Sequence, residues 1–148
     1  MKYKIKPKIM KSTIVANWNG NMSFKSVING HELIVDAVDA VGGEDRGPRP
    51  KPLMMLALAG CTGMDVVSIL KKMRVEFKDF NVKVDSEMTE EHPKVYSSMH
   101  ITYEITGSGI DFAKVEKAVT LSQENYCGVS AMYKKAMKIT HEIKIIEE

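Results

Sequence analysis

Cysteine, arginine and net charge are all scarce in this chain of 148 residues. Its only two thiols are Cys61 and Cys127. That is too few for the disulfide framework that holds small secreted scaffolds together, so a hydrophobic core must do the work. Arginine occurs only at Arg46, Arg49 and Arg74, and the formal net charge is +2, which gives no basic face for nucleic acid. The longest apolar run, residues 53–59, falls well short of a membrane span. The lysine-rich start, residues 1–11, lacks the apolar stretch of a signal peptide. From these absences a cytoplasmic protein that engages neither membrane nor nucleic acid is expected. In that reducing compartment a disulfide is usually transient and catalytic. No Cys/His spacing fits a zinc site, and there is no phosphate loop or placeable Ser-His-Asp arrangement. Neither a metal nor another cofactor is therefore expected.

What is present divides into alternating and helical stretches, with length enough for one domain and a real core, residues 1–148. Met10, Ser12, Ile14, Ala16 and Trp18 alternate with more polar neighbours, and the alternation resumes after Asn19-Gly20 and again after Asn29-Gly30. Asn-Gly tolerates the positive φ of a type I′ turn, so three antiparallel strands are predicted. Glycine and proline interrupt residues 36–52, where Glu44, Asp45, Arg46 and Arg49 supply charge. A helix follows from about residue 50 to residue 73, with Pro52 suited to its first turn. Its leucines, methionines and valines point in nearly every direction, the pattern of a buried helix. Two more antiparallel strands are predicted around Phe80–Val84 and Met99–Ile105, then a helix capped by Asp111, a break at residues 123–126, a short helix over residues 127–138 and a closing strand. The order βββα–ββααβ is α+β. One sheet shields one side of the long helix, so a homodimer is expected to cover the rest. His141 falls on the apolar side of the last strand and is expected to be a hydrogen-bonded core residue.

The two cysteines sit in similar settings. Cys61 lies in Ala59-Gly60-Cys61-Thr62-Gly63, and Cys127 in Asn125-Tyr126-Cys127-Gly128-Val129-Ser130. If the fold joins them, they form a redox pair. Gly60 and Gly63 cost a helix roughly 1 kcal/mol each relative to alanine, and their expected use is close approach of a backbone or small ligand to the thiol. Cys127, at a helix N-terminus, is expected to gain thiolate character from the helix dipole. Cys61, mid-helix among apolar groups, needs a charge brought to it.

The run Leu-Ala-Leu-Ala-Gly-Cys-Thr-Gly-Met-Asp-Val-Val-Ser-Ile-Leu after Gly-Pro-Arg-Pro, with Leu-Ser-Gln-Glu-Asn-Tyr-Cys-Gly-Val-Ser-Ala-Met near residue 127, resembles the two cysteine motifs of the OsmC/Ohr family. These are osmotically induced and organic-hydroperoxide-resistance proteins. The resemblance spans essentially the whole chain. It implies antiparallel sheets wrapped around a long buried central helix in an intertwined homodimer with sites at the subunit interface. It also implies thiol-dependent reduction of an organic hydroperoxide, or binding of another small apolar ligand, with a dithiol as reductant. By motif, Cys61 would attack the peroxide and Cys127 would resolve. The family activates its thiol with an arginine held by a glutamate just after the proline that precedes the long helix. Here those positions are Lys51 and Pro52, so Arg46, oriented by Glu44 or Asp45, is the expected cation.

Overall fold

In a computed structural model, which describes residues 9–148, the chain divides between Pro50 and Lys51 into two compact units. The expected reading of residues 1–8 lies outside the described residues. In the first unit, β1 (Asn17–Trp18), β2 (Phe24–Ile28) and β3 (His31–Val35) form an antiparallel sheet in that order. The second turn is the expected one. Asn29 and Gly30 take φ of 52° and 83°, and Ile28 pairs with His31 across them. The first turn is shifted by one residue, since positive φ falls on Gly20 and Asn21. There the Trp18 indole N–H donates to the Asn21 carbonyl at 2.9 Å, and Asn19 N–H donates to Ser23 O, so the connection is wider than two residues. The alternation that begins at Met10 becomes a ladder only at residues 17–18 among the described residues.

One carboxylate organises the loop that follows. Asp36, 3 % exposed, accepts from the backbone N–H groups of Ala37 (2.8 Å), Glu44 (3.2 Å) and Arg46 (3.1 Å). Burial alone raises its pKa, but these N–H groups and the Arg46 charge outweigh it and hold the carboxyl below its ordinary value. A Cβ at Gly43 would collide with the Ala37 carbonyl, so the chain closes on itself only with glycine there. The Arg46 guanidinium pairs with Glu44 and donates to Asn19 O at 3.1 Å, and Arg49 pairs with Asp45.

The second unit is built on α1 (Pro52–Lys72), with Pro52 in its first turn and Lys71 and Lys72 at its negative end. Although apolar all round, α1 is buried along one stripe, Leu58, Thr62, Gly63, Val66 and Leu70, while Leu56 and Met64 are 64 % and 77 % exposed. By length and composition alone, α1 is long and apolar enough to cross a membrane, but its buried stripe packs on β4 and α2.

β4 (Asp79–Met88) and β5 (Tyr96–Gly107) pair antiparallel. β6 (Lys138–Glu147) lies on the other side of β5 and runs parallel to it, making a mixed sheet of order β4-β5-β6. Parallel pairing requires a crossover, supplied by α2 (Phe112–Leu121), a π-helical turn (Ser122–Tyr126) and α3 (Gly128–Tyr133). Asp111 caps α2 as expected, accepting from Ala113 N–H at 3.0 Å. The central position of β5 explains the burial of Met99, Ile101, Tyr103 and Ile105, which pack with Val115, Ala118 and Val119 of α2.

Two expectations are corrected here. α3 stops at Tyr133, not near residue 138, because successive turns through Lys134–Met137 lead directly into β6. His141 is exposed and not a core residue, since β6 is an edge strand. Its ring meets Tyr103 edge-on at 6.1 Å, and that partial burial, aided by the charges of Lys134 and His100, lowers its pKa.

Candidate active site

Three features of the second unit bring the two thiols together. Cys61 and Asp65 are four residues apart on α1 and therefore share a face. The π-helical turn widens the end of α2 and turns Ser122 and Gln123 inward, where both are buried. Cys127 then leaves helical geometry (φ −73°, ψ 98°) and caps α3, its Sγ accepting from Ser130 N–H at 3.3 Å while its own N–H donates to Ser122 O at 2.8 Å. As a result the Sγ atoms of Cys61 and Cys127 and a carboxylate oxygen of Asp65 all lie within 4.8 Å of one another. Neither thiol is in a disulfide.

Behind the thiols runs a buried chain of hydroxyl and amide groups. Thr62 Oγ1 shares hydrogen bonds with Tyr103 OH (2.6 Å) and Ser122 Oγ (2.8 Å), and Ser122 Oγ donates to Asp65 Oδ2 (3.0 Å). Gln123 Nε2 donates to Tyr103 OH (2.7 Å) and Thr62 Oγ1 (3.2 Å), and its Oε1 accepts from Ser130 Oγ (2.7 Å). Every side chain in this chain has a partner, which a buried polar cluster needs if it is not to cost stability. The network ties β5, α1, the π-helical turn and α3 into one support for the cysteines.

The two thiols differ electrostatically. Cys127 is 2 % exposed, and burial pushes its thiol up to about 11 against the single favourable N–H of Ser130, with Cys61 and Asp65 adding to the rise. This overturns the expectation that a helix N-terminus makes Cys127 a thiolate. α3 has six residues, and loss of water outweighs its dipole. Cys61 is less buried. Burial likewise raises the Tyr103 hydroxyl, despite its bonds to Thr62 and Gln123.

Space beside the helix lies in two places. Gly60 and Gly63 line a groove of about 540 Å³ with Met64, Phe80 and Val82, and the thiols are not among its lining residues. A Cβ at Gly63 would press on Val82 at 3.2 Å, so this glycine serves helix–sheet approach, whereas among the described residues nothing lies within 4 Å of a Cβ at Gly60. A second cavity of about 330 Å³ opens on Asp65, bounded by Ser68, Ile69, Lys72, Leu121 and Tyr126.

Residues 42–142 match the family model of the OsmC-like proteins. The chain belongs to the OsmC-like family. Among its relatives, Protein YhfA of Escherichia coli K12 is 36% identical over 118 residues, covering 80% of this chain and 85% of that protein. A crystal structure of a hypothetical protein from Aquifex aeolicus VF5 superposes with a TM-score of 0.78 at 32% identity, covering 94% of this chain and all of that one. An organic hydroperoxide resistance protein from Legionella pneumophila shares the fold, with a TM-score of 0.66 at 14% identity over 92% and 99% of the two chains. In this OsmC-like protein, two of the three residues singled out from sequence, Cys61 and Cys127, come together. Arg46 belongs to the first unit, where Glu44 holds it. Lys51 donates to Lys94 O at 2.7 Å.

Sequence reasoning missed Asp65, Thr62, Tyr103, Ser122, Gln123 and Ser130. Asp65 was open to discovery, because a carboxylate four residues after a helical cysteine must share its face. The others depend on the π-helical turn and the β5 register, which leave no short-range signal.

Proposed function

We propose that this OsmC-like protein is a thiol peroxidase that reduces organic hydroperoxides through Cys61 and Cys127. The observation that carries the reading is the pairing of a partly accessible thiol with a buried one whose sulfur lies within 4.8 Å. The Cys61 thiolate attacks the peroxide O–O bond, the alkoxide leaves and takes a proton as the alcohol, and Cys61 becomes a sulfenic acid. The Cys127 thiol then displaces hydroxide from that sulfur, giving a disulfide and water. An external dithiol restores both thiols by exchange. Cys127 suits the resolving role because burial keeps it protonated until an electrophilic sulfur forms beside it.

Arg46, the cation proposed from the sequence, pairs with Glu44 in the first unit, and the Arg46→Ala variant tests whether it serves the Cys61 thiolate. The exposed apolar side of α1 supports a homodimer, and the lack of a disulfide framework suits a cytoplasmic protein. Sedimentation should give a dimer at micromolar concentration, and a monomer would refute the assembly.

A second reading, a small-molecule-binding protein without turnover, is favoured by Lys51 and Pro52 standing where the family's glutamate belongs. Stopped-flow mixing with cumene hydroperoxide separates the two. Peroxide consumption should vanish in Cys61→Ser, stop after one sulfenic acid per chain in Cys127→Ser, and slow in Arg46→Ala. Reaction retained by Cys61→Ser but lost in Cys127→Ser would reverse the thiol roles. An inert wild-type protein would leave the binding reading.

A further inference from the structure

Asp65 is poorly placed if the site serves peroxide alone. Its carboxylate adds to the rise of the neighbouring Cys127 thiol, yet Ser122 fixes it there with a 3.0 Å hydrogen bond to Oδ2. The arrangement makes better sense around a cation. Three atoms no more than 4.8 Å apart, when spaced evenly, surround a point within about 2.8 Å of each. Zinc takes cysteine sulfur at about 2.3 Å and carboxylate oxygen at about 2.0–2.2 Å, so sub-ångström adjustments of three side chains close the shell. The donor set, two thiolates and one carboxylate, is soft to borderline and trianionic, which favours a Zn²⁺-like ion over magnesium or calcium.

Its supports also fit. Ser122 orients the carboxylate, Ser130 N–H donates to Cys127 Sγ, and the two serines connect through Thr62 and Gln123. Such outer contacts orient ligands at metal centres. A cavity of about 330 Å³ reaches Asp65 from the side of Ser68, Ile69 and Tyr126, which gives this donor access to solvent.

We propose that the reduced protein binds a zinc-like divalent cation through Cys61, Asp65 and Cys127, with the fourth position open. Binding releases the two thiol protons to solvent and changes no oxidation state. The bound ion occupies both sulfurs, so metal and hydroperoxide compete for one site, and oxidation to the disulfide expels the metal. The notion that no metal site exists rested on spacing along the chain. The donors instead converge from α1 and from the α2–α3 connection.

The competition rests on the peroxidase reading, but metal binding does not, so the test omits peroxide. Reduced full-length protein is titrated with Co²⁺, followed by displacement with Zn²⁺. A sulfur-to-cobalt charge-transfer band and visible bands of tetrahedral intensity, at one ion per chain, are expected and should be absent after oxidation. Asp65→Asn should weaken affinity by more than about tenfold, and Ser122→Ala by about tenfold, while Cys61→Ser should abolish the charge-transfer band or shift it to single-thiolate intensity. Circular dichroism and the retained thiol titre of Asp65→Asn show that the variant is folded. No charge-transfer band in the reduced protein, or unchanged affinity in folded Asp65→Asn, overturns the proposal. Inert behaviour towards peroxide with normal cobalt binding sinks only the peroxidase reading.

Discussion

The two units of the chain bury different kinds of atoms. In residues 51–148, Leu58, Ile101, Tyr103, Ile105 and Val119 are fully buried, and a satisfied polar network runs through the same core. In residues 9–50 the buried positions are Ser23, Asp36 and Gly43, while Trp18, Val27 and Ile14 are 70 %, 63 % and 62 % exposed. One unit is held by apolar packing, the other by turns and a carboxylate that gathers backbone N–H groups. The lesson is that this sequence spends its hydrophobic residues unevenly. The unit with the thiols has a core able to fix side-chain positions, as close chemistry between sulfurs needs. The first unit carries apolar surface that one chain leaves in water.

The largest expected effect is on the core. Ile101→Ala should lower stability by about 2–5 kcal/mol, whereas Val27→Ala should stay within about 0.5 kcal/mol, as surface changes usually do. Urea unfolding measures both, and equal losses would break the contrast. Next is the polar network. Thr62→Val removes a partner from Tyr103, Ser122 and Gln123 together, with an expected cost of about 1–3 kcal/mol, and Thr62→Ser should restore most of it. A loss no larger than that of Val27→Ala would show the network is dispensable.

A third test sharpens the difference between the thiols. Since Cys127 is buried and its thiol pushed up to about 11, iodoacetamide near neutral pH should label Cys61 at least about tenfold faster. Peptide mapping gives the ratio. The smallest effect belongs to Asp36. Its folded pKa is below the ordinary 3.8, so its contribution is fully present above that value and fades as pH falls through the lower folded one. Amide exchange at Glu44 and Arg46 should therefore speed up in acid before the core opens, and Asp36→Asn should show the faster exchange at neutral pH as well.

Most of the fold was legible because its signals are local. Asn29-Gly30 marked its turn, Pro52 the start of α1, Asp111 the cap of α2, and period-2 alternation marked β2 through β5. The misreadings came where tertiary context decides. The first turn moved to Gly20-Asn21 beside the Trp18 indole, α3 ended at Tyr133, and His141 fell on an uncovered edge. At the site, the paired motifs identified both cysteines, but the dipole argument for Cys127 failed because a sequence does not display desolvation. Asp65 was missed for a plainer reason: its meaning depends on the thiol of Cys127, 62 residues further along.

Intact-mass measurement of the reduced protein, before and after one equivalent of cumene hydroperoxide, tests the central claim most directly. The account predicts a loss of about two mass units per chain, with the disulfide mapped to Cys61 and Cys127 and absent from either Cys→Ser variant. An unchanged mass, or stable oxygen addition with no disulfide in the wild-type protein, would contradict it.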